Sequence, residues 1–285
     1  MRVYVVQMES AYTNKQVNLA KILDWINKGA DAQADLIIFS EMCLTGYNCH
    51  QKYIDLAERI VPEPGPSVRQ VMQLAKKRGV YVILGMPEIN NTFLYNSAAV
   101  FGPQGLVTIH RKLVIPAGWI PPDIIVEEEA WFMGGEKITT FDTHFGKVGL
   151  NICADAFQPE VDRASAHRGA MILVCIAAAP SGAEQAYHTL VPARALENCS
   201  WYIFSNHLGS QDGLSFTGGA CIVNPSGYIS VKASMGAEAK EEAITKDIDL
   251  ERSLPVRLRD MFVRDARADL LRQAADIIEN EAQIQ

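Results

Sequence analysis

The 285-residue sequence has no uninterrupted apolar run long enough to cross a bilayer, so its hydrophobic content reads as core rather than membrane anchor. It also lacks a Lys/Arg-rich block. With a formal net charge of -7, a nucleic-acid partner has no electrostatic support. None of the six cysteines sits in a CxxC pair. Cys43, Cys49 and His50 are close together but match no usual zinc spacing, so no metal is expected. The opening MRVYVVQMES is too short an apolar run for a signal peptide, broken by Gln7 and Glu9. Scattered thiols without an export signal read as reduced, cytoplasmic cysteines. Neither Pro180-Ser181-Gly182 nor Pro225-Ser226-Gly227 sits in a G-x-S-x-G setting, and no GK[ST] follows FGKVG. A serine-hydrolase elbow and a phosphate loop are thereby set aside. No linker, low-complexity segment or internal repeat divides the chain.

What remains alternates between short β-branched runs and amphipathic helical stretches. RVYVVQM, ADLIIFSE, VYVILGMPE, NSAAVFGPQG, KVGLNIC, AMILVCIAAA, SWYIFSNH and AITKDIDL read as strands. NKQVNLAKILDWINKG and PSVRQVMQLAKKRG read as helices, the second bracketed by Pro66 and Gly79. PEVDRASAHRG reads as a helix and AYHTLVPARALENC as helical in its latter part. ACIVNPSGYISVKA reads as a hairpin around residues 224–227. The pattern predicts one α/β domain over residues 1–285 with a mixed sheet, ending in a helical tail from about residue 254. The strands near 81–86 and 171–179 are expected to be covered on both faces. RKLVIPAGWIPPDIIVEEEAWFMGGE, with three prolines and three consecutive glutamates, is expected to be a long functional loop.

Three polar groups fall at strand ends. Cys153 ends KVGLNIC and precedes a helical stretch. It is either a buried core cysteine or a nucleophile at an elbow, where a helix N-terminus favours the thiolate. Glu41 ends ADLIIFSE, where a carboxylate is costly unless paired or used. Lys112 ends a β-like run and would by itself pass for a surface lysine. Glu127, Glu128 and Glu129 read alone as a solvated acidic patch. If the strands are neighbours, their carboxyl ends bring together a thiol nucleophile, a base and a fixed cation for an oxyanion.

Glu41 in LIIFSEMCLTGY, Lys112 in HRKLVIP and Cys153 in GLNICADAFQPE together resemble the nitrilase superfamily of carbon–nitrogen hydrolases. The likeness extends through ARALEN, GGACIVNPSGYI and AITKDIDL, nearly the whole chain. It implies a four-layer αββα sandwich with two mixed β-sheets and a Glu41-Lys112-Cys153 triad. A second glutamate after the lysine falls on Glu128 within EEAWFMGG, or on Glu127 or Glu129 in another register. The resemblance also implies an oxyanion contact from the backbone N–H of Ala154, no metal or cofactor, a small-molecule substrate and a homodimer or larger homo-oligomer. The C-terminal stripe Leu270, Leu271, Ala274, Ile277 and Ile278 would either serve that assembly or pack on its own subunit. Ala154-Asp155 stands where true nitrilases tend to have Trp-Glu, which argues for amides over nitriles. The expected activity is cysteine-dependent hydrolysis of a small linear amide or N-carbamoyl compound. Nitrile hydrolysis, a glutaminase subunit and a non-catalytic binding member are the alternatives. Tyr47, Trp119, Trp131, Phe157 and Tyr187 are candidates for the pocket wall. Arg194 and Glu197 read as an intrahelical pair beneath the site.

Overall fold

A computed structural model describes residues 1–120, 124–259 and 261–282, and their side chains except those at 117–120, 124–126, 252–253, 259, 261 and 281–282. In chain order the elements are β1 (Arg2–Gln7), α1 (Lys15–Asp31), β2 (Leu36–Ile38), α2 (Tyr53–Leu56), α3 (Pro66–Arg78), β3 (Tyr81–Asn90), β4 (Phe93–Gly102) and β5 (Gly105–Arg111). Then come β6 (Ala117–Ile120), β7 (Ile124–Glu127), β8 (Thr139–Thr143), β9 (Gly146–Ile152), α4 (Pro159–His167), β10 (Ile172–Ala177), α5 (Glu184–Glu197) and β11 (Trp201–Asn206). The chain closes with β12 (Leu208–Gln211), β13 (Leu214–Thr217), β14 (Cys221–Val223), β15 (Ile229–Lys232), β16 (Glu242–Asp247), α6 (Leu250–Arg259), α7 (Met261–Arg264) and α8 (Ala268–Ala282).

Two six-stranded sheets form, ordered β16-β1-β2-β3-β4-β5 and β15-β14-β11-β10-β9-β8. Each is mixed. β1, β2 and β3 run parallel, as do β9, β10 and β11, with antiparallel strands on both flanks. The period of two along a strand assigns each sheet's faces. In β1, Val3 and Val5 face the second sheet and pack in one core with Val148, Leu150, Ile172 and Val174. Tyr4 and Val6 face the other way, into a core with Ile22 and Ile26 of α1 and Val71 and Ala75 of α3. On the far side of the second sheet, Val191 and Ala195 of α5 complete the packing. The result is an αββα sandwich, with two sheets where the residue pattern alone predicted one.

Local chemistry sets the ends. The Asn14 side chain caps α1 by accepting the Val17 N–H. Pro66 opens α3 and Gly79, at φ +70, closes it. Helix α5 begins at Glu184, earlier than expected, and tolerates Pro192 inside it. Residues 111–136 are not one irregular loop, because β6 and β7 pair there antiparallel. Leu270, Leu271, Ile277 and Ile278 of α8 are all exposed, so that stripe does not pack on its own subunit. Among the described residues no helix is long and apolar enough to cross a membrane.

Candidate active site

Glu41 follows β2 and is fully buried. Its Oε1 accepts hydrogen bonds from Lys112 Nζ at 2.8 Å and Asn96 Nδ2 at 2.6 Å. Its Oε2 accepts the Ala178 N–H at 2.6 Å. Ala178 follows β10, so the strand ends of the two sheets meet on this carboxylate. Gly85 of β3 makes the approach possible. A Cβ there would lie 2.3 Å from the Ser40 carbonyl oxygen and 2.7 Å from Glu41 Cα, both backbone atoms that cannot swing aside.

Lys112 follows β5 and is also fully buried. Its backbone is pinned on both sides: its N–H donates to the Asn96 carbonyl at 2.8 Å, and its carbonyl accepts the Gly135 N–H at 2.7 Å. The ammonium reaches Glu41 Oε1 and, at 2.6 Å, Glu128 Oε1. Burial alone would lower the lysine's pKa, but the carboxylates of Glu128 and Glu41 outweigh it and hold the pKa well above its ordinary value. The amine therefore stays charged. Glu128 lies in a 3-10 turn, with Glu127 and Glu129 on either side exposed to solvent. Burial raises the Glu128 pKa against the pull of Lys112. The Tyr47 hydroxyl donates to Glu128 Oε1, and Asn96 Nδ2 lies 3.4 Å from Oε2.

Strand β9 ends at Ile152, and Cys153 turns the chain at φ +49, a conformation uncommon for a residue with a Cβ. A five-residue 3-10 turn, Cys153–Phe157, follows, and α4 starts only at Pro159. The expected helix N-terminus at the thiol is therefore absent. Burial and then the Glu41 charge push the Cys153 thiol well up, with Lys112 and the Tyr187 hydroxyl opposing. Cys153 is 9% exposed, and its Sγ lies 3.0 Å from the Tyr187 hydroxyl. At rest the sulfur carries its proton.

Asp155 holds this corner against the lysine segment. Its Oδ1 accepts the Leu113 and Val114 N–H groups at 2.9 and 2.8 Å. Its Oδ2 accepts the Ile152 N–H at 2.9 Å and faces His110 Nε2 at 3.0 Å. A carboxylate two residues past the cysteine thus ties both ends of the site together. On the outer side, Arg194 Nε donates to the Ala156 carbonyl at 3.0 Å while its Nη1 pairs with Glu197 at 2.9 Å.

The pocket candidates separate. Tyr47 touches Glu128, and Tyr187 touches the sulfur. Phe157 is 47% exposed and meets the Tyr187 ring edge-on. Trp131 is half-buried against His50 and packs on the cluster that holds Tyr47 and Phe132, with its backbone N–H donating to the Glu128 carbonyl at 3.0 Å. The side chain of Trp119 lies outside the described residues. Ala154 follows the sulfur in the 3-10 turn, where its backbone N–H is next in the chain. Sequence reasoning missed Asn96, although an amide within the apolar LYNSAAVF was a signal. It also missed the Ser40–His207–Gln211 chain behind Glu41. There His207 Nδ1 lies 3.1 Å from Ser40 Oγ, Gln211 Nε2 donates to His207 Nε2 at 2.9 Å, and Gln211 Oε1 accepts the Tyr47 N–H at 2.6 Å. Among the described residues no three His, Cys, Asp or Glu side chains gather as a metal-binding group.

The profile of the family described as "Carbon-nitrogen hydrolase" matches residues 2–257. A relative from Pyrococcus abyssi (strain GE5 / Orsay), "Nitrilase", is 32% identical over 254 residues, covering 88% of this chain and 90% of its own. "Omega-amidase NIT2" of Mus musculus is 30% identical over 274 residues, covering 94% and 96%. Among solved structures, Saccharomyces cerevisiae Nit3, described as a member of branch 10 of the nitrilase superfamily, has a TM-score of 0.81 at 26% identity, covering 91% of this chain and 93% of that one. The NitN amidase from Neterenkonia sp. AN1 shares the fold at a TM-score of 0.81 and 23% identity, covering 96% and 99%.

Proposed function

The chain belongs to the carbon–nitrogen hydrolase family, and we propose that it hydrolyses a small linear amide or N-carbamoyl compound through a thioester on Cys153. The observation that carries this reading is the buried Lys112 ammonium held between Glu41 and Glu128, at 2.8 and 2.6 Å, within the electrostatic reach of the Cys153 thiol. Three buried ionisable groups around one thiol are costly to desolvate, and catalysis gives them a use.

Because the resting sulfur is protonated, attack needs a base. Glu41 takes the thiol proton as the sulfur adds to the carbonyl carbon. The carbonyl oxygen becomes an oxyanion, received by Lys112 and the Ala154 backbone N–H. Glu41 then returns the proton to the departing nitrogen, and ammonia or an amine leaves the thioester behind. Glu41 next deprotonates a water that adds to the thioester carbon; the C–S bond then breaks, Glu41 returns that proton to the departing sulfur, and the carboxylic acid is released with the resting state restored. Glu128 orients the substrate nitrogen or the water, with Tyr47 fixing its carboxyl group. The relatives named for amidase and nitrilase activities support carbon–nitrogen chemistry of both kinds. The Ala154-Asp155 pair, standing where true nitrilases tend to have Trp-Glu, favours amides.

A panel of linear amides, N-carbamoyl compounds and nitriles, each assayed for ammonia, tests the reading. Turnover of amides or carbamoyl compounds above nitriles supports it. Turnover restricted to nitriles gives the answer to the nitrile alternative, and no ammonia from any class overturns both.

A further inference from the structure

We propose that Tyr187 is a catalytic residue, its phenol hydroxyl holding the Cys153 sulfur and donating to it whenever that sulfur becomes a thiolate. The inference deepens the thioester reading and rests on it. The hydroxyl lies 3.0 Å from Sγ and is buried, where a phenol O–H needs a partner. The ring has little freedom: it stacks on Phe204 with centroids 5.0 Å apart and meets the edge of Phe157 at 5.5 Å. Helix α5 carries Tyr187 and, two turns on, Arg194. Both grip the 3-10 turn, one at the sulfur and the other at the Ala156 carbonyl. One rigid element thus sets where the nucleophile points.

The chemistry assigns the donor. A thiol can give or accept a hydrogen bond, but a thiolate can only accept. Burial, joined by the Cys153 charge once the sulfur is ionised, holds the Tyr187 phenol pKa well above its ordinary value, so its proton stays on oxygen. As the S–H proton passes to Glu41, a sulfur lone pair forms the C–S bond and the carbonyl π pair moves onto oxygen. Tyr187 keeps its proton throughout. In the second half the C–S bond breaks, its electron pair returns to sulfur, and Tyr187 again donates to the departing thiolate. A donor on sulfur lowers its basicity and makes it the better leaving group.

The test is Tyr187→Phe, which keeps the stacked ring and deletes one hydroxyl, read by iodoacetamide alkylation of Cys153 from neutral to alkaline pH. A hydrogen bond to a charged group corresponds to a displacement of about one to two pH units. About half of that returns as greater nucleophilicity, so alkylation should be ~3–10-fold slower at each pH below the midpoint. kcat should fall about tenfold with KM little changed. Superimposable alkylation curves and a kcat within about twofold of wild type would overturn the proposal. If the phenylalanine variant does not fold, 3-fluorotyrosine at 187 decides: a stronger donor should move the curve to lower pH, and an unmoved curve overturns the proposal. Cys153→Ala run in parallel separates the two claims. Ammonia release by that variant sinks the thioester reading itself, whereas a dead Cys153→Ala beside an unaffected Tyr187→Phe sinks only the role of Tyr187.

Discussion

Replacing Asp155 strips the joint between the nucleophile's corner and the lysine segment. In Asp155→Ala, three backbone N–H groups lose their acceptor: that of Ile152, which is buried, and those of Leu113 and Val114, which are partly buried. The stranded Ile152 donor costs about 1–3 kcal/mol, and the two partly buried donors add less apiece because water can reach them. That is a substantial share of the stability of a typical domain, roughly 5–15 kcal/mol, so this variant should be markedly destabilised. Asp155→Asn is the sharper probe. Its side-chain oxygen can still serve Leu113 and Val114, and His110 can change tautomer to accept from the new amide. Only the Ile152 N–H then faces a donor, at a cost of ~1–3 kcal/mol. Ile152 immediately precedes Cys153, and a displacement of ~1 Å at the sulfur costs about 10²-fold in rate. Urea unfolding followed by tryptophan fluorescence measures the first effect, and ammonia release the second. An Asp155→Asn protein with an unchanged urea midpoint and wild-type kcat would refute the idea that this carboxylate aligns the site.

Other perturbations separate the remaining parts. Lys112→Met removes an oxyanion donor, so kcat should drop by about 10²–10³. It also leaves two carboxylates facing each other in the interior, so thermal unfolding should move down markedly. Gly85→Ala forces the Ser40–Glu41 backbone away from β3, and activity should fall even though no charged group is touched. Asp162 gives a pH signature: burial raises its pKa from 3.8 to about 7 in the fold. The folded state then holds the extra proton between those values, so this group's contribution to stability declines as pH rises through the window and is fully unfavourable above it. Asp162→Asn, compared with wild type by urea unfolding, should gain relative stability as pH rises from 4 to 8, by at most about 4 kcal/mol. A flat difference would show that the side chain ionises normally.

Much of this was legible in the sequence because it is local. Strands declare themselves by β-branched runs, and Glu41, Lys112 and Cys153 stand out as polar groups at their ends. The convergence of strand ends from two sheets was legible only through family resemblance, since no periodicity says which strands become neighbours. The thiol's environment was legible in part: both a buried cysteine and an elbow were open readings, but the helix dipole is not there, because a 3-10 turn intervenes and burial sets the pKa. The β6–β7 pairing was hidden because two four-residue strands are specified by each other, while prolines and glutamates dominate the composition around them. Asn96 went unread as a site residue, and Tyr187, read only as pocket wall, was not placed on the sulfur, for the same reason: their partners lie 55 and 34 positions away in the chain. The carboxylate two residues past Cys153 turned out to be architectural, since all of its acceptor capacity goes to the backbone and His110.

The most direct test of the account is the intact mass of the protein acid-quenched during turnover of a good amide substrate. The account expects a mass increase equal to the substrate's acyl group, mapped to the peptide carrying Cys153 and absent from Cys153→Ala. An acyl group on another residue, or continued ammonia release by the Cys153→Ala protein, would contradict it.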